Sequence, residues 1–412
     1  MKRFYNQYFS LVVIFFLSIT MTNGQTTETL NLGAGYSNDI FYSMQNGEVA
    51  NVDRTNWDIA FYTHAFSDGI ITNDGNGVVL YTYPNADTSG WDAIDTTGLA
   101  GWPKMMNSTE SWELGAFNRN AKGHPDYGWG IYNMVTHNLT GDSLFIVKLS
   151  DGSFKKLWMV KKLSAMNMFK FRYANLDGSN VIEETVDCNP YTSKNFVYYS
   201  MMDQVVRDRE PASDSWDILF TKYNEVLEGD TNYIVTGGLT NINAAANRFD
   251  MVSPDFADWM DMPIDSSRNA IGYDWKSFDF TTGWMVEDST VFFVQDLEGN
   301  IHKLHFLTWE GSMTGIFSFE KSLVSPAGID NLTSPFNILI YPNPASDYIT
   351  LENKDPNENI HIQISDLSGK TVIEDYLTTE KITYDVSKLR SGIYLMTVRT
   401  AGSATTHKLL IK

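Results

Sequence analysis

One short phrase occurs twice in the chain, and it constrains the fold more than any other feature. Trp57-Asp58-Ile59-Ala60-Phe61 returns as Trp216-Asp217-Ile218-Leu219-Phe220. Other marks follow in the same order. Tyr42-Ser43-Met44 matches Tyr199-Ser200-Met201 upstream, and Trp129 and Trp275 each precede an Asp-Ser pair, Asp142-Ser143 and Asp288-Ser289. Phe169-Lys170-Phe171 then matches Phe317-Ser318-Phe319. Self-similarity in a fixed order marks a duplicated structural unit. Two tandem copies are therefore expected, at 26–183 and 190–325.

Both copies read as β-structure. Phe145-Ile146-Val147-Lys148-Leu149 and Val291-Phe292-Phe293-Val294 are rich in β-branched and aromatic residues. Each run meets a turn, Ser150-Asp151-Gly152-Ser153 or Leu297-Glu298-Gly299-Asn300, and a second apolar run follows. Strand, Asp/Glu-Gly, strand is a hairpin signal. Trp57 to Phe61 alternates with period two, which predicts a strand with Trp57 and Trp216 in the core. No segment has helical spacing with caps, so the fold class is all-β. Cys188 is the single cysteine, so no internal disulfide can form. It is expected as an inert, half-buried thiol. The cores must then rest on packing, for which 24 Phe, 21 Tyr and 11 Trp provide ample area. Asn73-Asp74-Gly75-Asn76-Gly77 lacks a full calcium-loop ligand set and reads as a turn.

The N-terminus has a basic start at Lys2 and Arg3 and an apolar run from Leu11 to Ile19. Thr22 and Gly24 supply the small residues before a cleavage site. Residues 1–24 are expected to be a signal peptide, too short to span a membrane. No other run is long enough for a span. The net charge is −20, and it is unevenly placed. Residues 25–337 hold 41 acidic and 20 basic groups, whereas 338–412 hold nine and eight. Such a balance argues against nucleic acid or anionic membrane as a partner. Residues 326–337 have linker character.

Residues 338–412 form a third unit, expected as a small β-sandwich. It contains Tyr341-Pro342-Asn343-Pro344-Ala345, then Asp366-Leu367-Ser368-Gly369-Lys370, then Ser391-Gly392-Ile393-Tyr394, and ends at Lys412. This order resembles the type A C-terminal sorting domain of type IX secretion substrates in Bacteroidetes. The resemblance implies an export address read by the outer-membrane translocon and commonly removed on delivery. It implies a protein that passes the periplasm and is secreted or held at the outer cell surface. The sorting residues would be Tyr341, Pro342, Asn343, Pro344, Gly392, Tyr394 and Lys412.

The two repeats resemble the HmuY haem-binding haemophore family. The likeness is carried by Asn56-Trp57-Asp58-Ile59-Ala60 and Ser215-Trp216-Asp217-Ile218. It continues in Val291 to Val294 and in Gly299-Asn300-Ile301-His302-Lys303-Leu304. The resemblance implies haem held by axial His or Met over an apolar slot. The family spacing after Trp129 lands on Met134, with His137 three residues on. After Trp275 it lands on Phe280, which cannot ligate iron. The first ligand would be Met105 or Met106, with His124 and His137 as alternatives. A methionine in a β-core is more often a gap-filler than a ligand, and the acidic charge opposes an anionic ligand. His302 and His305 are read as sharing one strand face, a candidate metal pair without a third ligand. No Gly-x-Ser-x-Gly, His-Glu-x-x-His or Walker motif is present. The expected function is an exported, non-enzymatic binding protein, with haem in repeat 1 as its ligand. The alternative is a non-haem binding or adhesive surface protein, and a hydrolase comes last.

Overall fold

The alternating apolar runs fold as antiparallel strands, in a computed structural model. It describes residues 24–227, 231–325, 338–341, 345–353, 360–366, 370–377, 381–399 and 404–411. Residues 1–23 of the expected leader, the linker 326–337, and Pro342, Asn343, Pro344 and Lys412 lie outside the described residues. Half the chain is strand. Among the described residues every helix is a 3-10 turn of at most six residues. The all-β expectation holds, and the contacts divide the chain into two units, 1–326 and 327–412.

The larger unit contains two lobes, each with a large and a small sheet. In lobe 1 the large sheet runs Ile182–Asp187, Met168–Asn175, Phe154–Leu163, Phe145–Lys148, Val79–Thr82 and Lys104–Met105. Gly130–Tyr132 and Leu139–Gly141 join its flank. The small sheet runs Val205–Arg207, Phe196–Ser200, Ile59–Tyr62 and Ile70–Thr72. In lobe 2 the large sheet runs Thr26–Asn31, Ile316–Ser325, Ile301–Trp309, Val291–Gln295 and Ala245–Phe249. Its small sheet runs Thr231–Thr240, Ile218–Leu227, Asn38–Ser43 and Gly47–Asp53. The two hairpins predicted at Asp151-Gly152 and Glu298-Gly299 are both present.

The sequence copies are not the packing units, because they exchange strands. The first two strands of the first copy pair with the second: Leu30 lies opposite Phe317 and Tyr42 opposite Ile218, with Gly47–Asp53 following on the edge beside Asn38–Ser43. The first strand of the second copy pairs with the first: Tyr199 lies opposite Ile59, and Phe196 opposite Tyr62. Lobe 1 is thus the continuous stretch from Arg54 to Glu210. Lobe 2 is the stretch from Pro211 to Ser325, completed by the N-terminal strands. The cores follow this division. Leu30, Leu32, Ile40, Tyr42 and Met44 are buried with Phe220, Trp275 and Phe317. Val186, Cys188, Val197 and Tyr199 are buried with Phe61, Trp129 and Phe171. Cys188 is fully buried rather than half-buried. The removal of water pushes its thiol up to about 12, which leaves it unreactive.

The second unit has a three-stranded sheet, Ile338–Tyr341, Tyr348–Asn353 and Lys381–Asp385. A four-stranded sheet runs Thr371–Leu377, Ile360–Asp366, Gly392–Arg399 and Ala404–Ile411. Alternate residues of both sheets, among them Ile349, Leu351, Ile362, Ile364, Met396 and Val398, form one core. Gly392 opens the strand that carries Tyr394. Tyr394 is buried, and its hydroxyl donates to Arg390 O at 3.0 Å.

Candidate functional site

The repeated Trp-Asp phrase is a strand clamp. Asp217 N donates to Tyr42 O at 2.8 Å, and Met44 N donates back to Asp217 Oδ2 at 2.7 Å. In lobe 1, Asp58 N donates to Tyr199 O at 3.0 Å, and Met201 N donates to Asp58 Oδ2 at 2.7 Å. Each copy's aspartate therefore holds the Tyr-Ser-Met strand of the other. Burial raises both carboxyls above their usual range, against the pull of these N–H donors. Asn73 Nδ2 and Asn241 Nδ2 complete the pattern by donating to Trp57 O and Trp216 O. Trp57 and Trp216 are core residues, as their period predicts.

Between the lobes lies a small cavity of about 40 Å³ whose wall mixes charged, polar and apolar side chains. Arg54, Arg209, Arg268 and Lys222 line it, against two carboxylates, Asp39 and Asp74. Arg209 of lobe 1 donates to Asp39 Oδ2 of lobe 2 at 2.6 Å, and Thr221 Oγ1 donates to Asp39 Oδ1 at 2.5 Å. Arg54 Nε and Nη2 both donate to Tyr36 O, at 2.9 and 2.8 Å. Arg268 carries its guanidinium 4.3 Å over the Trp112 ring, and Arg209 stands 4.9 Å over Tyr198. Asp74 accepts from Asn107 Nδ2 at 2.8 Å. Burial pushes its carboxyl up to about 6 while Arg268 pulls it down. Behind the wall, Glu210 accepts from Tyr198 Oη at 2.7 Å and from Asn195 N at 2.9 Å, and burial lifts it to about 7. The 73–77 segment forms the expected turn and presses on lobe 2. A Cβ on Gly75 would meet Lys222 O at 2.0 Å, so only glycine permits this approach.

The haem-ligand candidates separate into two places. Met105 is buried in the lobe 1 core, and Met106 beside it is half-buried. Met134 is 68% exposed on the loop after Gly130–Tyr132. The structure brings Met134 Sδ within 3.1 Å of His124 Nε2. His124 Nδ1 lies 3.1 Å from Tyr127 Oη, and His137 Nδ1 lies 2.5 Å from Tyr132 Oη. Four rings, those of His124, Tyr127, Tyr132 and His137, therefore cluster with one thioether on an exposed rim. Phe280 is 98% exposed on lobe 2.

His302 and His305 do not share a face. They lie three residues apart, which on a strand sends them to opposite sides. Both are buried, and they have different partners. His302 Nε2 is 2.8 Å from Asp296 Oδ2, and His305 Nε2 is 3.1 Å from Asp288 O. Among the described residues no group of three His, Cys, Asp or Glu is placed to hold a metal ion.

Sequence reasoning missed the seam arginines. Arg54 lies three residues before Trp57, and Arg209 eight after Met201, so both flank repeated motifs; Arg268 belongs to no motif. The one signal was their scarcity in a segment twice as rich in acids as in bases.

Residues 339–412 match the family described as the secretion system C-terminal sorting domain. No curated protein matches the chain. Among solved structures, the chain has a likeness to PorZ, a surface component of the type IX secretion system of Porphyromonas gingivalis. The identity is 8%, the TM-score 0.18, and 68% of this chain and 44% of that one are covered. A polysaccharide lyase structure gives 9% identity and a TM-score of 0.15, covering 94% of this chain and 46% of that one. The chain thus spans less than half the length of either, and such TM-scores carry no argument about fold or activity. Among the described residues no helix is long and apolar enough to cross a membrane. The tail marks the protein as secreted or attached to the outer cell surface, delivered through the type IX secretion machinery.

Proposed function

We propose that the exported chain is a binding protein without catalytic chemistry, and that lobe 1 offers haem a surface site at His124, Met134 and His137. The observation that supports it most is the meeting of His124 Nε2 and Met134 Sδ on an exposed rim. Histidine and methionine are both axial ligands of haem iron. The neighbouring Tyr127 and Tyr132, with exposed Ile131 and Val135, supply aromatic and apolar contact for a porphyrin face. The likeness of both repeats to the HmuY family points the same way, and Phe280 confines the reading to the first copy.

The donor set fits in one particular manner. Nitrogen and sulfur in contact cannot stand on opposite faces of one ring, and Met105 is enclosed in the core. The rim would therefore supply the iron with one donor, His124 Nε2 or Met134 Sδ. When bound, haem would contribute its iron and its porphyrin face, and His124 would hold its ring by the bond to Tyr127. Haemin titrated into purified protein should give a shifted Soret band that weakens in His124→Ala and Met134→Ala. Absence of a shift, or a shift that both variants leave unchanged, overturns the haem reading and leaves the non-haem or adhesive alternative.

A further inference from the structure

The seam cavity is set apart by its polar groups, because those left unused are nearly all donors. Arg54 Nη1, Arg209 Nε, Arg268 Nε and Nη1, and Trp57 Nε1 are buried and find no partner among the described residues. The hydroxyls of Tyr223 and Thr72 are in the same position. All six residues line the one cavity. Their exposures are 3% for Arg54, 9% for Arg209, 5% for Arg268 and 2% for Tyr223, so bulk water does not serve them. A buried donor without a partner is costly, and a group of them in one place calls for a reason.

The fold spends effort on holding these donors. Arg54 is fixed by two bonds to one carbonyl, Arg209 by Asp39, and Arg268 by the face of Trp112. Asp39 occupies part of one guanidinium, while Arg54 and Arg268 make no direct salt bridge among the described residues and feel Asp74 only at longer range. Guanidinium groups present planar forks that suit carboxylate or phosphate oxygens. The faces of Trp57, Tyr198 and Trp112 in the wall are taken by the arginines themselves, which suits a compact group better than a stacked ring.

We infer that the seam between the lobes is a binding site for a small oxyanion, a carboxylate or phosphate group, gripped by Arg54, Arg209 and Arg268 with Tyr223. The chain's negative charge does not oppose this at contact. At ~0.1 M salt that field is screened beyond about 10 Å, whereas contacts inside the cavity are screened far less. The site is independent of the haem reading, since no residue is shared. It also gives the strand exchange a use, because Arg209 and Arg54 come from lobe 1 and Arg268 and Tyr223 from lobe 2.

The test uses the secreted chain from Gln25 onward with its tail. Its melting temperature is measured against inorganic phosphate, sulfate and acetate, with sodium chloride at matched ionic strength as control. Binding to the folded state alone raises the melting temperature saturably. The expected result is such a rise with phosphate, acetate or both, the pattern telling which oxyanion the site takes. Arg268→Met should weaken half-saturation on the order of tenfold or more. Tyr223→Phe deletes one oxygen, keeps the ring, and should weaken it a few-fold; it decides the matter if Arg268→Met fails to fold. Broadening of the phosphate ³¹P resonance by the protein, lost in the same variants, gives a readout free of stability. Rises that follow ionic strength alone, or variants that respond as the parent does, overturn the inference and leave the cavity to water.

Discussion

Lobe 1 and lobe 2 carry the same motif in the same sheet position, yet only lobe 1 is a continuous stretch of chain. Lobe 2 is closed by residues from the far end, with Thr26 opposite Lys321. The difference teaches what a duplication costs when its cut falls inside the unit. Closing a loop fifteen times longer than a short one costs only about 2 kcal/mol more, since the cost grows with the logarithm of length. Against that, the N-terminal strands bury Leu30, Leu32, Ile40, Tyr42 and Met44 in lobe 2. At roughly 1.5–3 kcal/mol for each large apolar side chain, burial outweighs closure. Residues 26–53 are thereby bound into the body of the larger unit.

The sharpest way to break this comparison is to remove residues 25–53. Lobe 2 should unfold, because it loses two core-facing strands, Thr26–Asn31, which pairs with Ile316–Ser325, and Asn38–Ser43, which pairs with Ile218–Leu227. Lobe 1 should keep its core, and Cys188 gives a direct readout of it. The thiol is fully buried, so labelling by a thiol reagent at pH 8 requires lobe 1 to open. Hydrogen exchange should therefore be fast in 211–325 of the deletion variant, while thiol labelling stays slow. Rapid labelling would show that the lobes fold as one cooperative body.

Acidification should separate the lobes more gently. Asp68, Asp74 and Glu210 all lie in the 54–210 stretch, and burial lifts them to about 6, 6 and 7. A carboxyl raised in the folded state binds its proton more tightly there than in the unfolded chain. Its contribution is fully present below its unfolded value and is lost as pH rises through the folded value. Stability should then increase from pH 7 to pH 5, by an amount on the order of a few kcal/mol. Lys276 of lobe 2, lowered to about 7 by burial, acts in the other direction but mainly above pH 7. Chemical denaturation at the two pH values checks this. Glu210→Gln should reduce the gain, and an unchanged or inverted slope would refute the assignment.

Much of this architecture was legible in the sequence, and the limit has a physical cause. Period-two runs and Gly turns are local, so the strands, the hairpins at Asp151-Gly152 and Glu298-Gly299, and the tail sandwich could be read directly. Strand exchange is not local. Tyr42 reads the same whether it pairs with its own copy or with Ile218, because the two copies present the same motif. The seam site was hidden for the same reason: Arg54, Arg209 and Arg268 come together only through that exchange. The His124–Met134 contact was half visible. Met134 and His124 are both ligand candidates in the sequence, but only the fold shows that they touch while Met105 is enclosed.

The smallest test addresses the shared motif itself. Asp58→Ala leaves the buried Met201 N–H without its acceptor, and Asp217→Ala does the same to Met44 N–H. Asp217 also accepts from Leu297 N at 3.0 Å, whereas the second contact of Asp58, with Met202 N, is 3.3 Å. An unsatisfied buried donor costs about 1–3 kcal/mol. Each alanine should therefore cost about 2 kcal/mol, with Asp217→Ala the larger. Asparagine at either position keeps one acceptor oxygen and sheds a buried charge, so it should lose less. Because each aspartate holds a strand supplied by the other copy, the location of the damage matters more than its size. In hydrogen exchange, Asp217→Ala should loosen Asn38–Ser43 and Asp58→Ala should loosen Phe196–Ser200. If instead each alanine loosened the Tyr-Ser-Met strand of its own copy, the exchange of strands would be wrong and the two copies would be two separate domains.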